Sequence, residues 1–207
     1  NVVMRNCLTE NNNGAGYVLY LRPLRAHSEP LSVRFENCRA LNDHNVSAGV
    51  YNNNAAGAAV TGSVVFANCV LEGSGRAGIS IGDNPPSGLA IRFEDVTLIN
   101  PAAEAPATSP VQLSSHNDAE QPVGGVAFVN VRIQDNIERT PMTYLDGTGG
   151  LPLEQISGAL VIVRGEAEET VPLSREMLDK WMPVTPVKRI PRVSLEGCAL
   201  RPLTDTP

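Results

Sequence analysis

The chain has 207 residues, 42% hydrophobic and 4% aromatic, with 18 Gly and 16 Pro; that is enough for one sizeable, turn-rich core. A net charge of -6 and a pI near 5.1 argue against nucleic acid or an anionic membrane face as a partner, and no apolar run approaches the length of a membrane span. No signal-peptide pattern opens the sequence.

The first apolar segment, "NVVMRNC" from Asn1, returns as "VRFENCRALN" from Val33 and "VVFANCVLEG" from Val64, so that Cys7, Cys38 and Cys69 are each 31 residues apart. Later copies, "IRFEDVTLIN" from Ile91 and "VAFVNVRIQD" from Val126, place Asp95-Val96 and Asn130-Val131 where Asn-Cys stood. Spacings of 31, 31, 27 and 35 describe constant strands joined by loops of variable length, the mark of a solenoid. "VSLEGCAL", with Cys198, reads as a looser last copy. Between these copies a second segment recurs: "GYVLYL" from Gly16, "GVYNNN" from Gly49, "GISIGD" from Gly78, "PVQLSS" from Pro110 and "PMTYLD" from Pro141. Each turn therefore carries a strand, a one-residue corner, a second strand, a loop, a third strand and a loop. Val33 and Phe35 against Arg34 and Glu36 show the period of two that strands require.

Asn37, Asn68, Asp95 and Asn130 fall at the tight corner, where Asn and Asp tolerate the left-handed conformation and can form hydrogen-bond ladders. The cysteines after the corner are expected to point inward as free, stacked thiols. Disulfides are the competing reading, but equivalent residues of adjacent parallel strands give poor disulfide geometry, and Val replaces Cys in later copies.

Three short parallel strands per coil of about 30 residues resemble the right-handed parallel β-helix of pectate-lyase-like proteins, over residues 1–164. The resemblance implies an all-β solenoid, about five to six coils here, in proteins of a bacterial, secreted, carbohydrate-active kind. It implies an extracellular or periplasmic location and a polysaccharide or oligosaccharide partner. Residues 165–207 break the period and are expected to form a C-terminal cap. In it "LSREMLDKWM" makes a short helix, with Ser174 as N-cap and Met177, Leu178, Trp181 and Met182 on one face. Trp181 serves either to cover the last coil or as a sugar platform. Asn1 opens inside a coil with no covering element, so the N-terminal end is expected to meet further coils of a longer chain or another subunit.

In pectate-lyase-like folds oligosaccharides lie on a long strand face, which corresponds here to the "GISIGD" strands. Alternation points Tyr17, Leu19, Val50, Ile79, Ile81, Val111, Leu113 and Met142 inward. One outward column then reads Val18, Tyr51, Ser80, Gln112, Thr143, and a second reads Tyr20, Asn53, Gly82, Ser114, Leu145. Tyr20 and Tyr51 suit stacking on sugar rings, while Asn53, Ser80 and Gln112 suit hydrogen bonding. Arg22 and Asp118 in the flanking loops complete the candidate binding set. An ordinary polar sheet face has the same composition.

At the end of these strands Asn54, Asp83, Ser115 and Asp146 align coil by coil. That puts Asp83 and Asp146 about 10 Å apart, close to the carboxylate separation of inverting glycosidases. One would protonate the leaving oxygen and the other activate water, with His116 sharing the proton. Asp-Asn-Pro and His-Asn-Asp are also common turn chemistry. "RPLRAH" departs from the arginine motif of pectate lyases, and the paired-aspartate, His-Gly and Arg-x-Lys signatures of polygalacturonases are absent. The only lysines, Lys180 and Lys188, lie in the terminal region, and His27, His44 and His116 lack metal-ligand spacing. No cofactor is indicated; calcium is compatible with the resemblance but has no sequence support. Two readings stand: a glycoside hydrolase or polysaccharide lyase binding an extended glycan, and a non-catalytic β-helix, adhesin-like, phage-fibre-like or a scaffold.

Overall fold

The computed structural model describes residues 1–21, 29–52, 60–114, 123–138, 145–148 and 155–173, with backbone only for 146–148. Strands β1 (Val2–Arg5), β2 (Leu8–Glu10) and β3 (Tyr17–Leu21) make the first coil. They are followed by β4 (Leu31–Glu36), β5 (Arg39–Leu41) and β6 (Ala48–Asn52). The third coil holds β7 (Gly62–Ala67), β8 (Val70–Glu72) and β9 (Ile79–Gly82); the fourth holds β10 (Leu89–Glu94), β11 (Thr97–Ile99) and β12 (Val111–Ser114). In β13 (Val126–Gln134) the first and second strands of a coil fuse into one, and β14 (Leu145–Thr148) follows. A last pair, β15 (Ile156–Arg164) and β16 (Ala167–Pro172), closes the described chain.

Strands repeat in parallel register on three faces: β1-β4-β7-β10-β13, β2-β5-β8-β11-β13 and β3-β6-β9-β12-β14. The protein is thus an all-β parallel solenoid of about four turns, fewer than the five to six expected from the repeat count, with no helix among the described residues. The expected helix over 173–182 and the last strand over 193–200 lie outside the described residues, apart from Leu173.

The columns of the sequence repeat become physical stacks. Val2↔Val33↔Val64↔Ile91↔Val126↔Ile156 run in register, and their members from Val33 onward are buried. All four phenylalanines of the chain form a single pile, Phe35–Phe66–Phe93–Phe128, with ring centroids 4.5, 5.0 and 5.5 Å apart and nearly parallel planes. The strand spacing dictates this, since identical side chains one coil apart meet at about 4.8 Å, the distance at which rings stack. Tyr17 tilts onto the end of the pile, 5.3 Å from Phe35. Its hydroxyl donates to the carbonyls of Cys7 and Arg39, and burial pushes the phenol well above its ordinary range.

The corner residues behave as expected. Asn6, Asn37, Asn68, Asp95 and Asn130 all have φ between 53° and 55°, and the Asn130 amide donates to the Asp95 carboxylate at 3.0 Å, one rung of a ladder. Five residues later a second left-handed column occurs, Asn11, Asn42, Gly73 and Asn100, which turns the chain off the second face. Cys7, Cys38 and Cys69 are free thiols stacked with Val96 and Val131 on the inner side. Burial raises the Cys69 thiol to about 11, so it acts as a small apolar side chain.

The two ends differ. At the C-terminal end β16 runs antiparallel to β15, and its Val171, with Leu173 just beyond, is buried in the core. The phenylalanine pile ends on Gly158, whose φ of 103° and whose position, with a Cβ only 1.7 Å from the Phe128 carbonyl oxygen, admit no side chain. The Leu173 amide donates to the Gly158 carbonyl across this gap. At the N-terminal end the inward-facing Val2 is 49% exposed.

Candidate functional site

The third face is built by β3, β6, β9, β12 and β14. Its inward residues Tyr17, Ala48, Ile79, Val111 and Leu145 are buried, as are Val50, Ile81 and Leu113. Because successive side chains alternate, the residues between them point away from the core; Val18 and Tyr20 are exposed, Tyr51 and Gln112 half-buried, and Ser80 and Ser114 buried.

The outward columns correct the expected ones. Tyr20 pairs with Tyr51 and Tyr51 with Gly82, then Ser114 and Thr148; Val18 pairs with Gly49, then Ser80, Gln112 and Asp146. Tyr51 therefore belongs with Tyr20 rather than with Val18, because Gly49 stands beside Val18, two residues along from the Gly16 that the alignment on Gly assumed. The two tyrosines become direct neighbours, with centroids 5.5 Å apart and planes tilted by 42°. Tyr20 is 54% exposed and Tyr51 half-buried, its hydroxyl 2.9 Å from the Ser80 hydroxyl as donor. Beside them a Cβ on Gly49 would come 3.0 Å from the Tyr51 ring edge and 3.2 Å from a Val18 methyl, so a side chain there would crowd both. Gln112 is half-buried on the same face.

The strand register also moves Asp146. Expected beside Ser115, it instead pairs with Gln112, three residues earlier. The reason is Leu145: the shift turns this apolar residue inward, 3% exposed, where the aligned reading had it facing solvent. Asp83 lies just past β9 in a left-handed conformation, φ 56°, with its amide donating to the Ser114 carbonyl. Two coils and three residues then separate Asp83 from Asp146, about 14 Å between Cα atoms, instead of about 10 Å. Arg22, Asn53, His116 and Asp118 lie outside the described residues, as do Met142 and Thr143.

Sequence reading missed the polar group under the end of this face. Asn52 and Asn84, both fully buried, join side chain to side chain at 2.9 Å. Asn52 exchanges two hydrogen bonds with the Val60 backbone, and Asn84 binds the backbone of Leu89 and Gly124. Each asparagine closes the loop that carries the chain from the third face to the first, satisfying backbone groups that water cannot reach. The signal was present as Asn after "VY" and after "GD", but the one-residue offset of Asp83 hid it. Asp43, also fully buried, accepts from the Thr9 hydroxyl and from the backbone and side-chain amides of Asn12, tying the first coil to the second.

No group of three or more His, Cys, Asp or Glu side chains suited to a metal occurs among the described residues. Exposed charges are paired mostly within or between adjacent coils. Arg5 and Arg34 both hold the Glu36 carboxyl below its ordinary range, Arg92 meets Glu94 at 2.6 Å and Arg132 meets Glu168 at 2.7 Å. These sit on the first and second faces. On the third face the described outward side chains of β3, β6, β9 and β12 are uncharged.

The class that this architecture defines is the parallel β-solenoid. Comparison of the chain with protein-family models, curated proteins and solved structures gives no match in any of the three.

Proposed function

We propose that the third face binds an extended polysaccharide, with the glycan running along the solenoid axis across Tyr20 and Tyr51. The observation that carries this reading is the adjacent tyrosine pair on a face whose other described outward residues, Val18, Gly49, Ser80, Gly82, Gln112 and Ser114, are uncharged. A sugar ring offers an apolar C–H face to an aromatic ring and hydroxyls to the half-buried Gln112 side chain. Arg22, Asn53 and Asp118 are assigned to the flanks of the same path. An extracellular or periplasmic location accompanies this reading, as does the absence of a required cofactor.

The tyrosine pair carries glycan binding; cleavage by hydrolysis or elimination is the second reading, with Asp83, His116 and Asp146 as its catalytic residues.

The test is titration of the chain with neutral and uronate-containing polysaccharides, together with Tyr20→Ala and Tyr51→Ala. Each substitution should weaken binding by about threefold to tenfold, the value of one aromatic contact, with the melting temperature little changed for exposed Tyr20. Affinity untouched by both substitutions, or no binding by any polysaccharide, overturns the proposal. New reducing ends that vanish in Asp83→Asn would instead establish the enzyme.

A further inference from the structure

Tyr20 and Tyr51 hold the same position of the third face in successive coils. Their ring centroids are 5.5 Å apart, close to the strand spacing of about 4.8 Å that sets the step from coil to coil. The Tyr51 hydroxyl donates to the Ser80 hydroxyl at 2.9 Å, so what this side chain presents to a ligand is chiefly its ring. The two ring planes are tilted by 42° and share no common plane.

The two outward columns that begin at Val18 and Tyr20 hold no basic residue from β3 through β14. The only position in them charged at neutral pH is Asp146, and it is acidic. The arginines that pair with carboxylates, Arg5, Arg34, Arg92 and Arg132, belong to the first and second faces.

Spacing and charge each restrict the ligand that fits. A pyranose chain joined through equatorial bonds at both ends of each ring runs nearly straight and advances by a ring length per sugar, comparable with the step from Tyr20 to Tyr51. An axial bond turns the chain aside and shortens the advance, so that successive sugars fall out of step with successive coils. A uronate carboxylate brought onto these columns would give up hydration without a described cation to receive it, and would approach Asp146 in a chain of net charge -6. Neutral hydroxyls carry no such cost, since they exchange water for amide and hydroxyl partners such as Gln112.

On the reading that the third face binds a glycan, which this inference requires, we propose that its ligand is an uncharged polysaccharide with equatorial linkages, bound as a single extended chain with one sugar per coil. The tilt between the tyrosine planes suits the successive rings of one twisting chain rather than the coplanar surface of a packed polymer.

The experiment titrates the chain with two matched pairs of soluble oligosaccharides, in salt concentrated enough to screen the net charge. Manno-oligosaccharides and oligomannuronate share ring stereochemistry and linkage and differ by the carboxylate. Cello-oligosaccharides and malto-oligosaccharides contain the same sugar and differ at the anomeric carbon, equatorial against axial. The neutral, equatorially linked member of each pair should bind about tenfold more tightly than its mate, and affinity should rise from monosaccharide to disaccharide, the length that spans both rings. Tyr51→Phe should keep the affinity while Tyr51→Ala lowers it by about threefold to tenfold, which separates ring stacking from a contact made by the hydroxyl. Equal or tighter binding of oligomannuronate or of malto-oligosaccharides, lost in Tyr51→Ala, overturns the substrate class and leaves glycan binding by the third face standing. A loss in Tyr51→Phe as large as in Tyr51→Ala also overturns the class, because the ring spacing would then not be what the glycan reads. Binding of none of the four, or binding indifferent to both Tyr20→Ala and Tyr51→Ala, overturns the class and the glycan-binding reading together.

Discussion

At the level of single residues, the fold depends on side chains that tolerate what others resist. Asn68 sits at φ 53°, a conformation that costs other L-residues roughly 1–2 kcal/mol. Asn68→Ala should therefore lower stability by about 1 kcal/mol, and Asn68→Gly by less, measured by urea denaturation. Equal losses would mean that the side chain's hydrogen bonding outweighs backbone preference at this corner. The first corner was legible because Asn or Asp stands there in every copy. The second, at Asn11, Asn42, Gly73 and Asn100, was equally regular at five residues' distance and was overlooked because Gly and Asn also mark ordinary loops. The buried Asn52–Asn84 pair was not legible, since nothing in a local sequence says that a polar side chain will be enclosed.

For strands, register is the quantity that separates expectation from outcome. On the first face the motif is dense enough, with an aliphatic residue, Phe, a corner and Cys or Val in fixed order, that every pairing from β1 to β13 follows the sequence spacing. On the third face the strands are short and each follows a loop of its own length. Alignment by first residue misplaced Tyr51 by two positions and Asp146 by three. Burial decides for Leu145, which a shift of three residues turns inward, whereas the shift of two leaves Val50 inward and Tyr51 outward as before. The stacked strands of the first face also locate the energy. Phe66→Ala, between two parallel rings and fully buried, should cost about 3–5 kcal/mol. Met4→Ala, in the same column but only partly buried, should cost well under half of that, and comparable losses in denaturant titrations would contradict this.

Taken as a whole, the molecule is close to one-dimensional: each coil touches only its neighbours, so stability is a sum of coil and interface contributions. Hydrogen exchange should accordingly be slowest in β7 and β10, each flanked by coils on both sides, and fastest in β1–β3. Uniform protection along the axis would contradict this. The sequence by itself determined the repeat, the strand character, the inward columns and the corner residues, because all of these are local patterns reproduced at a period the chain states openly. Only the tertiary structure decided which residues of different coils meet. It joined Tyr20 to Tyr51, set Asp146 beside Gln112 and laid β16 antiparallel against β15. The physical reason is that loop length and burial across coils set the register, and neither is written in any one repeat.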